Sequence, residues 1–367
     1  MLMAVLLLSL CPLRADAIPT SAQSAVLIEA GLQQVLVEQN AHQRLPMAST
    51  TKIMTAIVAL EYGRLDDSVV ISPLAANAEG SSMQLMEGEI LTLDELLYGL
   101  LLVSGNDAAV AVAELVAGDV DSFVALMNQK ACTLGLTDTH FDNPSGLDGD
   151  THFTTAYELA LITAHALQNA DFCRYIGTGS KMIFADETRA AKYLTNKHRL
   201  LRQYEGALGG KTGYTKASGR SLVTAAQRDG VTLIAVTIND GSDWLDHTNL
   251  LDHGFARTQH IPLSALVAEE YLLPVAGGGN IRVRPDGPEG VALIDPQEAT
   301  LRAEVCLPRF VYPGIGLLQQ VGRVDLYLNG ELLTSIALRS QDSIVPELER
   351  ESLFSLIWRQ ISGKLWG

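Results

Sequence analysis

The stretch RSLVTAAQRDGVTLIAVTIND (residues 220–240) contains two runs of apolar and β-branched residues joined by Asp229-Gly230. Aspartate followed by glycine between two such runs is a strong signal for a tight β-hairpin, because both residues tolerate a positive φ. The sequence therefore predicts two adjacent antiparallel strands at this point.

A second hairpin is predicted near the N-terminus, where SAVLIEA (24–30) and QVLVEQ (34–39) are separated by a short turn. Helical patterns lie between the two hairpins, and one more follows the second hairpin. They cover residues 48–62, 92–103, 107–117, 121–134, 155–168 and 243–257. This order brings antiparallel strands together around a helical insertion, which predicts an α/β sandwich with an antiparallel sheet flanked by helices.

The pattern changes near Pro262. From about 265 to 345, short β-type runs are interrupted by Gly, Pro and Asn329-Gly330, which predicts a small all-β C-terminal domain. In the final stretch, 346–367, large apolar residues recur near helical spacing (Phe354, Ile357, Trp358, Ile361, Leu365, Trp366). We expect an amphipathic helix here. Its two tryptophans favour a membrane interface, and the alternative is a helix packed on the β domain.

The size and charge of the chain limit the classes of function. A length of 367 residues with 47% hydrophobic residues favours two domains, and a net charge of −16 argues against nucleic acid as a partner. Three cysteines follow the leader described below (Cys132, Cys173, Cys306). An odd, widely spaced set is not a disulfide framework, so we expect each to be a small buried apolar residue.

The first 17 residues resemble a secretory signal peptide. An apolar run of roughly ten residues is followed by Ala15-Asp16-Ala17, which fits a small-residue cleavage site. We expect export of the protein, with a mature chain that begins near Ile18 and a first domain over residues 18–262. The alternative is a short membrane anchor that is left uncleaved, although the run is shorter than the ~20 residues of a membrane span.

A lysine stands in the first turn of an apolar helix within PMASTTKIMTA (46–56). Lys52 follows Ser49 by three positions, so the two side chains lie on one helix face. A desolvated lysine whose pKa falls toward neutrality can take the proton of a serine hydroxyl and make it nucleophilic. The alternative reading of this stretch alone is a helix-capping serine and a solvated lysine.

Two further elements strengthen the nucleophile hypothesis. Ser104-Gly105-Asn106 falls in a loop between two helical runs, and Lys211-Thr212-Gly213 opens a predicted strand. The three elements together resemble the active-site set of the penicillin-recognising serine enzymes.

Longer segments narrow this resemblance to the D-alanyl-D-alanine carboxypeptidases, the low-molecular-mass penicillin-binding proteins. The segments are PMASTTKIMTA, SGNDAAVAVAE, FDNPSGLD, FTTAYELALI, TNKHRLL, GGKTGYTKASGRSLVTAA and LLDHGF, and the resemblance covers about residues 20–260. The resemblance implies a serine peptidase that removes the terminal D-alanine from peptidoglycan pentapeptides through an acyl-enzyme. It also implies that residues 18–262 form the catalytic domain.

The resemblance assigns catalytic roles to three residues. Ser49 would be the acylated nucleophile, Lys52 its general base, and Ser104 the relay of a proton to the leaving D-alanine. Backbone N–H groups at a helix start and on a strand edge are natural oxyanion donors, and Ser49 and Tyr214 would supply them.

Substrate binding would fall to neighbouring residues of the same motifs. Asn106 would orient the substrate amide, while Lys211 and Thr212, followed by Gly213, would hold the terminal carboxylate. Some family members carry a carboxylate-binding arginine after the second strand of the hairpin, but NDGSDWLDHT (239–248) has none. Lys216 and Arg220 are therefore candidates to assist Lys211.

The expected partners are stem peptides ending in D-Ala-D-Ala, β-lactams as covalent inhibitors, and a membrane surface bound through the C-terminal helix. We expect no metal or other cofactor. The expected location is the outer face of the cytoplasmic membrane, the periplasm or the cell wall space.

Three rival functions share some of these features. A β-lactamase needs a base for its deacylating water. The nearest glutamate, Glu158, is predicted to form a capping box with Thr155, which argues against that role. A metallopeptidase needs clustered ligands, whereas His247 and His253 are six positions apart. An inactive penicillin-binding scaffold is disfavoured because every catalytic position is occupied.

Overall fold

The computed structural model describes residues 18–184 and 191–344. This part of the chain forms two compact units, residues 18–260 with 292–295 and residues 261–291 with 296–344. The leader predicted at 1–17 and the amphipathic helix predicted at 346–367 lie outside the described residues. Within the described ranges, no helix has the length and apolar character needed to cross a membrane.

The first unit has strands at both ends of its sequence and helices between them, in the predicted order. The strands are β1 (Ala22–Glu29), β2 (Val35–Gln39), β3 (Ser68–Val70), β4 (Ile90–Thr92), β5 (Ser180–Ile183), β6 (Lys192–Thr195), β7 (Ala207–Thr215), β8 (Gly219–Arg228) and β9 (Val231–Asp240). The helices are α1 (Lys52–Tyr62), α2 (Pro73–Ala76), α3 (Leu93–Leu102), α4 (Asn106–Ala117), α5 (Val120–Thr133), α6 (Ala156–Ala166), α7 (Ala170–Gly177), α8 (Leu200–Gln203) and α9 (Asp243–Arg257). A 3₁₀ helix, Ala48–Thr51, leads directly into α1.

Five strands form one antiparallel sheet in the order β2-β1-β9-β8-β7. The predicted hairpin joins β8 to β9, and its turn residues Asp229 and Gly230 have φ of 48° and 79°. Positive φ at both central positions is what a type I′ turn requires. β1 pairs with β9, so the two predicted hairpins lie side by side, and β7 is an edge strand. The short pairs β3–β4 and β5–β6 were not predicted.

The sheet separates two helical layers. In β1, Val26 and Ile28 face a large core shared with α1 and α3–α7, whereas Leu27 packs against Leu250 of α9 on the opposite face. Alternate residues of a strand point to opposite faces, so each central strand contributes to both cores. The predicted α/β sandwich is therefore confirmed.

Helix α1 runs through the larger core. Every residue from Lys52 to Ala59 is buried. A helix without a solvent-facing side gives a lysine no route to water, so the ammonium or amine of Lys52 must find its hydrogen-bond partners inside the protein.

The predicted capping box at α6 is half correct. Thr155 caps the helix, since its hydroxyl accepts a hydrogen bond from the Glu158 N–H at 3.0 Å. The Glu158 carboxylate does not reach back to the N-cap amide. It accepts instead from the loop after α5 (Thr137 N at 2.8 Å, Asp138 N at 3.0 Å, Thr139 Oγ1 at 2.5 Å). The carboxylate thus supplies the acceptor for three donors of that loop, of which the Thr139 hydroxyl is buried.

The three cysteines of the described residues are free. Cys132 is exposed, so the expectation that each cysteine is buried is wrong for this one, and Cys173 and Cys306 are only half-buried. The buried positions of α5 recur every four residues at Phe123, Met127 and Ala131. Cys132 lies one position further, which turns it away from that face.

The second unit is built from strands, as predicted. Five of its strands are β11 (Tyr271–Pro274), β12 (Asn280–Asp286), β14 (Leu301–Cys306), β15 (Gln320–Leu328) and β16 (Glu331–Ser340). They form one sheet in the order β11-β12-β16-β15-β14. Two further strands, β10 (Thr258–Pro262) and β13 (Gly290–Ile294), pair with each other, and each has residues in both units. Two 3₁₀ turns cover Leu263–Ala265 and Pro296–Glu298. Asn329-Gly330 forms the predicted turn between β15 and β16.

Candidate active site

The three predicted motifs meet at one cleft. The 3₁₀ helix and the start of α1 carry Ser49 and Lys52, the connection between α3 and α4 carries Ser104, and β7 carries Lys211. The cleft has a volume of about 320 Å³. The residues that line it are Ser49, Ser81, Ser104, Lys197, Thr212, Gly213, Tyr214, Arg220, Ser221, Asp243 and Trp244.

The backbone is strained directly before one motif serine and at the other. Ala48, directly before Ser49, has a φ of 48°, and Ser104 has a φ of 65°. Non-glycine residues pay roughly 1–2 kcal/mol for this left-handed conformation. Such strain persists only where the surrounding structure enforces it, and it concentrates at functional sites.

Lys52 connects the nucleophile candidate to its neighbours. Its Nζ lies 3.0 Å from Ser49 Oγ, 2.7 Å from Asn106 Oδ1 and 2.5 Å from the Ser145 carbonyl oxygen. The side chain has no exposed surface. The structure thus brings Ser49, Lys52 and Asn106 together within hydrogen-bond distance.

The environment of Lys52 favours a neutral amine. Burial is the largest cause, and it holds the pKa of Lys52 well below its usual range. The positive charges of Lys211 and Lys197 lower it further, and only Asp107 acts in the opposite direction. A lysine in this state can accept a proton near neutral pH.

The connection between α3 and α4 supplies a hydroxyl and an amide. Ser104 Oγ accepts a hydrogen bond from Lys211 Nζ at 2.9 Å. The amide of Asn106 accepts from Lys52 through Oδ1 and donates through Nδ2 to the Glu79 carbonyl at 2.6 Å. Ser104 lines the cleft, whereas both polar atoms of Asn106 are bonded within the protein.

β7 places the third motif along the cleft. The strand begins at Ala207, so Lys211-Thr212-Gly213 lies in its second half and does not open it as predicted. The residues of β7 that precede Lys211 pair with the C-terminal end of β8. The partner strand sets this register, so the sequence of β7 alone does not indicate where the strand begins. Gly213 allows the close approach of β7, because a Cβ there would lie 3.1 Å from the Ser49 nitrogen. The Tyr214 side chain is 68% exposed.

Lys211 is buried and held by two acceptors. Its Nζ donates to Ser104 Oγ at 2.9 Å and to the Thr212 carbonyl at 2.8 Å. Burial, assisted by the charge of Lys197, lowers the pKa of Lys211 to about 7. The amine therefore titrates near neutrality instead of remaining a permanent cation.

The loop 143–147 was not assigned a role from the sequence, yet it contacts both Ser49 and Lys52. Asn143 Oδ1 accepts from three consecutive N–H groups (Ser145 at 3.1 Å, Gly146 at 2.7 Å, Leu147 at 3.2 Å). This turn presents the Ser145 carbonyl to Lys52. Gly146 packs so closely that a Cβ would lie 2.0 Å from the Ala48 carbonyl oxygen. The only sequence signal for the loop was the similarity of FDNPSGLD to the family.

His152 supports the 3₁₀ helix that carries Ser49. Its Nδ1 accepts a hydrogen bond from the Asp142 N–H at 2.9 Å, so Nε2 carries the proton and donates to Thr51 Oγ1 at 2.7 Å. Burial lowers the pKa of His152 to about 4. The ring is therefore neutral at physiological pH, and its single N–H is committed to holding Thr51.

Asp107 fixes one wall of the cleft. Its buried carboxylate accepts from Met83 N at 3.0 Å, Leu85 N at 3.1 Å and Ser82 Oγ at 2.6 Å. These bonds hold the loop that includes Ser81, a cleft residue. No pattern in the sequence indicated this role, because the loop lies more than twenty positions before Asp107.

Of the two basic residues predicted to assist Lys211, only Arg220 lines the cleft. Arg220 Nη2 donates to Asp243 Oδ1 at 2.6 Å and to the Gly241 carbonyl at 3.0 Å. Lys216 is exposed.

Comparison with known proteins is consistent with this geometry. The profile of the D-alanyl-D-alanine carboxypeptidase family matches residues 13–242. D-alanyl-D-alanine carboxypeptidase DacF of Bacillus subtilis is 36% identical over 258 residues, which cover 68% of this chain and 66% of DacF. DacC of Escherichia coli is 30% identical over 364 residues, covering 94% of this chain and 88% of DacC.

The fold has solved counterparts. The structure of penicillin binding protein 5 from Haemophilus influenzae has a TM-score of 0.69 and 25% sequence identity, and it covers 90% of this chain and 99% of that protein. The family profile spans well over half of the 367 residues and includes all three motifs of the cleft. This chain therefore belongs to the D-alanyl-D-alanine carboxypeptidase family and is a peptidase.

Proposed function

We propose that this protein is a serine-type carboxypeptidase that removes the terminal D-alanine from peptidoglycan pentapeptides through an acyl-enzyme on Ser49. One observation carries the proposal: the fully buried Lys52 has its Nζ 3.0 Å from Ser49 Oγ. Serine is a weak nucleophile at its ordinary pKa and requires an adjacent base.

The three contacts of Lys52 suit a neutral amine. An –NH₂ group has two N–H donors and one lone pair. Asn106 Oδ1 and the Ser145 carbonyl are pure acceptors, at 2.7 Å and 2.5 Å from Nζ. If they take the two N–H groups, the lone pair is left for the Ser49 hydroxyl. Lys52 is thereby oriented as a general base for that serine.

The reaction follows from these positions. Ser49 Oγ bonds to the carbonyl carbon of the penultimate D-alanine while its proton passes to Lys52. The N–H groups of Ser49 and Tyr214 stabilise the oxyanion that forms. The C–N bond then breaks, and the proton that Lys52 received passes through the hydroxyl of Ser104, which Lys211 holds at 2.9 Å, to the departing amine. Water attacks the resulting ester and gives one proton to the neutral Lys52, which passes it to Ser49 Oγ as the acyl peptide leaves.

The same chemistry predicts covalent inhibition by β-lactams. A strained cyclic amide with a carboxylate would acylate Ser49 in the same way, but its leaving group would stay attached. The substrate lies outside the cytoplasmic membrane, so we propose that the protein is exported through the leader 1–17. We also propose that the segment 346–367 binds the membrane surface.

Two alternatives make different predictions. A β-lactamase would release the opened β-lactam quickly, whereas an inactive scaffold would not be acylated. The carboxylate of Glu158 accepts three hydrogen bonds in the loop after α5 and is not among the residues lining the cleft. It is therefore poorly placed to activate a deacylating water.

The test uses the intact protein with a fluorescent penicillin and with a pentapeptide ending in D-Ala-D-Ala. Wild type should become labelled and release D-alanine, and Ser49→Ala should do neither while its circular dichroism spectrum stays unchanged. Thr50→Ala provides a neighbouring control that keeps the nucleophile. Labelling of Ser49→Ala would move the nucleophile elsewhere, with Ser104 as the next candidate. Wild type that neither labels nor releases D-alanine would overturn the proposal.

A further inference from the structure

The second unit carries an exposed apolar loop between β14 and β15. Residues 307–319 read LPRFVYPGIGLLQ, and four large side chains of this loop face solvent. Their exposed fractions are 47% for Phe310, 70% for Tyr312, 63% for Leu317 and 56% for Leu318. Single exposed apolar residues are ordinary on a protein surface, whereas a local cluster of this kind is typical of an interaction surface.

Hydrogen bonds fix the backbone of this loop at two points. The buried Val311 donates its N–H to the Pro274 carbonyl at 2.9 Å, and its carbonyl accepts from the Ala276 N–H at 2.8 Å. Further along, the Leu318 N–H donates to the Ser340 carbonyl at 2.9 Å. Turning the apolar side chains inward would break these bonds, so the side chains stay exposed until a partner covers them.

Two aromatic rings stand in the first half of the loop. Phe310 and Tyr312 flank the buried Val311, and in extended backbone the neighbours of an inward residue point outward. The ring centroids are 5.5 Å apart with an interplanar angle of 78°, which is an edge-to-face pair. A tyrosine joins an apolar ring to a hydroxyl, and this combination suits the boundary between lipid headgroups and acyl chains.

The described part of the chain ends beside this loop. The carbonyl of Ile344 accepts from the Gly314 N–H at 2.7 Å, and its N–H donates to the Ile315 carbonyl at 2.8 Å. In the sequence these two contacts lie between the aromatic pair and the leucine pair. The amphipathic segment predicted at 346–367 begins two residues later, and two residues span at most about 7 Å. A membrane that binds this segment therefore comes close to the loop as well.

The charge of the loop suits an anionic lipid surface. The chain has a net charge of −16, yet residues 307–319 contain no Asp or Glu and only one cation, Arg309. Arg309 is exposed, and within residues 18–184 and 191–344 no carboxylate forms an ion pair with it. Asp342, near the point where the chain leaves the loop, is paired with Arg282 at 2.7 Å. A cation beside exposed apolar side chains is the combination that binds anionic lipid at an interface.

We propose that loop 307–319 is a second membrane-contact element, which inserts its exposed apolar side chains into the headgroup region of a bilayer beside the 346–367 segment. This inference rests on the proposed function, because that segment brings the loop to the membrane. The contact is interfacial, since the backbone of an irregular loop cannot enter the hydrocarbon core.

The two contacts act together. The loop alone binds weakly, because a few partly inserted side chains do little more than offset the cost of association. The 346–367 segment holds the loop at a high effective concentration near the lipid, so the contribution of the loop is measured in the intact chain. Two adjacent contacts also restrict how the second unit is oriented on the bilayer.

The test measures sedimentation of the intact protein with vesicles of phosphatidylcholine and phosphatidylglycerol. Combining Leu317→Ser with Leu318→Ser should lower the partition coefficient by about 10-fold or more, the factor for burial of one large apolar side chain. Tyr312→Ser should lower it several-fold, and it tests the other half of the loop if the leucine variant does not fold. Both variants should keep the wild-type Tm and the release of D-alanine from a soluble pentapeptide, because the substituted side chains are exposed.

Leu332→Ser is the matched control. Leu332 is 57% exposed, as Leu318 is at 56%, but it lies near the turn at the opposite end of the β15–β16 hairpin. The strand between Leu332 and Ser340 is about 27 Å long at the usual rise per residue. This variant should bind vesicles like wild type. Arg309→Gln should weaken binding to vesicles that contain phosphatidylglycerol and leave binding to pure phosphatidylcholine unchanged.

Three results would overturn the loop contact. Wild-type vesicle binding by the leucine variant and by Tyr312→Ser would show that the loop does not touch lipid. The same binding with a lowered Tm would show that another part of the chain covers the loop. An equal loss for Leu332→Ser would show that any exposed leucine has this effect.

Failure of the proposed function looks different in the same experiment. Wild type that does not sediment with vesicles would reject the membrane role of the 346–367 segment, and the loop contact with it. Wild type that sediments but neither releases D-alanine nor becomes labelled by penicillin would reject the peptidase while leaving the loop contact standing.

Discussion

Lys211 offers a direct thermodynamic test of the electrostatics of the cleft. Its side chain is 2% exposed, and burial lowers its pKa from the ordinary 10.5 to about 7. The unfolded chain therefore binds one more proton than the folded chain over the pH range between these two values. Stability must rise with pH across that window, and it must fall as the pH drops toward 7.

The size of the effect follows from the two pKa values. The limiting slope is about 1.4 kcal/mol per pH unit for one proton. With a folded pKa of about 7, half of the sites are protonated at pH 7 and few at pH 9. We therefore expect the free energy of unfolding to increase by roughly 2 kcal/mol between pH 7 and pH 9 because of Lys211 alone. Lys211→Met removes the titrating group and should abolish this increment.

The assay is urea unfolding of the intact protein at pH 7, 8 and 9, followed by circular dichroism. Lys216→Met is the matched control, because that lysine is exposed on the turn after β7; its pH dependence should parallel wild type. Removal of Lys211 also relieves Lys52 of a neighbouring positive charge, which changes the slope in the same direction. Parallel curves for wild type and Lys211→Met would refute the depressed pKa of Lys211.

Three further predictions address the nucleophile, its support and the tail. Lys52→Arg should lower the rate of acylation by fluorescent penicillin at least ~100-fold, because a guanidinium cannot act as a base. Lys211→Arg should lower this rate less. Equal losses of rate would contradict the separate roles of the two lysines. Gly146→Ala should slow acylation and lower Tm, because its Cβ would meet the Ala48 carbonyl. Gly135→Ala is the control, since Gly135 also has a positive φ but open surroundings, and it should alter Tm alone. Equal acylation rates for the two variants would contradict the clash. Deletion of residues 347–367 should release the protein from anionic vesicles in a sedimentation assay without changing hydrolysis of a soluble peptide; unfolding of the truncated protein would indicate a packing role instead.

Much of the fold was predictable because its signals are local. Asp229-Gly230 and Asn329-Gly330 form hairpin turns because their residues adopt positive φ at low cost. The helix predicted at 243–257 has the same bounds in the structure. Apolar periodicity located α3, α4, α5 and α6 to within two residues, whereas the first four residues of the helix predicted at 48–62 form a 3₁₀ helix. The short pairs β3–β4 and β5–β6 escaped prediction, because three or four residues carry too little periodicity to identify a strand.

The spacing of the motif residues was also enough to predict which residues carry the chemistry. Ser49 and Lys52 share a helix face because of their spacing, whatever surrounds them. Which groups surround that pair is visible only in the tertiary structure. The Ser145 carbonyl that contacts Lys52 comes from a loop about ninety positions away, and the Glu158 carboxylate accepts hydrogen bonds from residues 137–139 instead of from its own N-cap amide. Burial is the largest cause of the lowered pKa of Lys52 and of Lys211, and it depends on contacts between distant segments, so no local pattern can contain it.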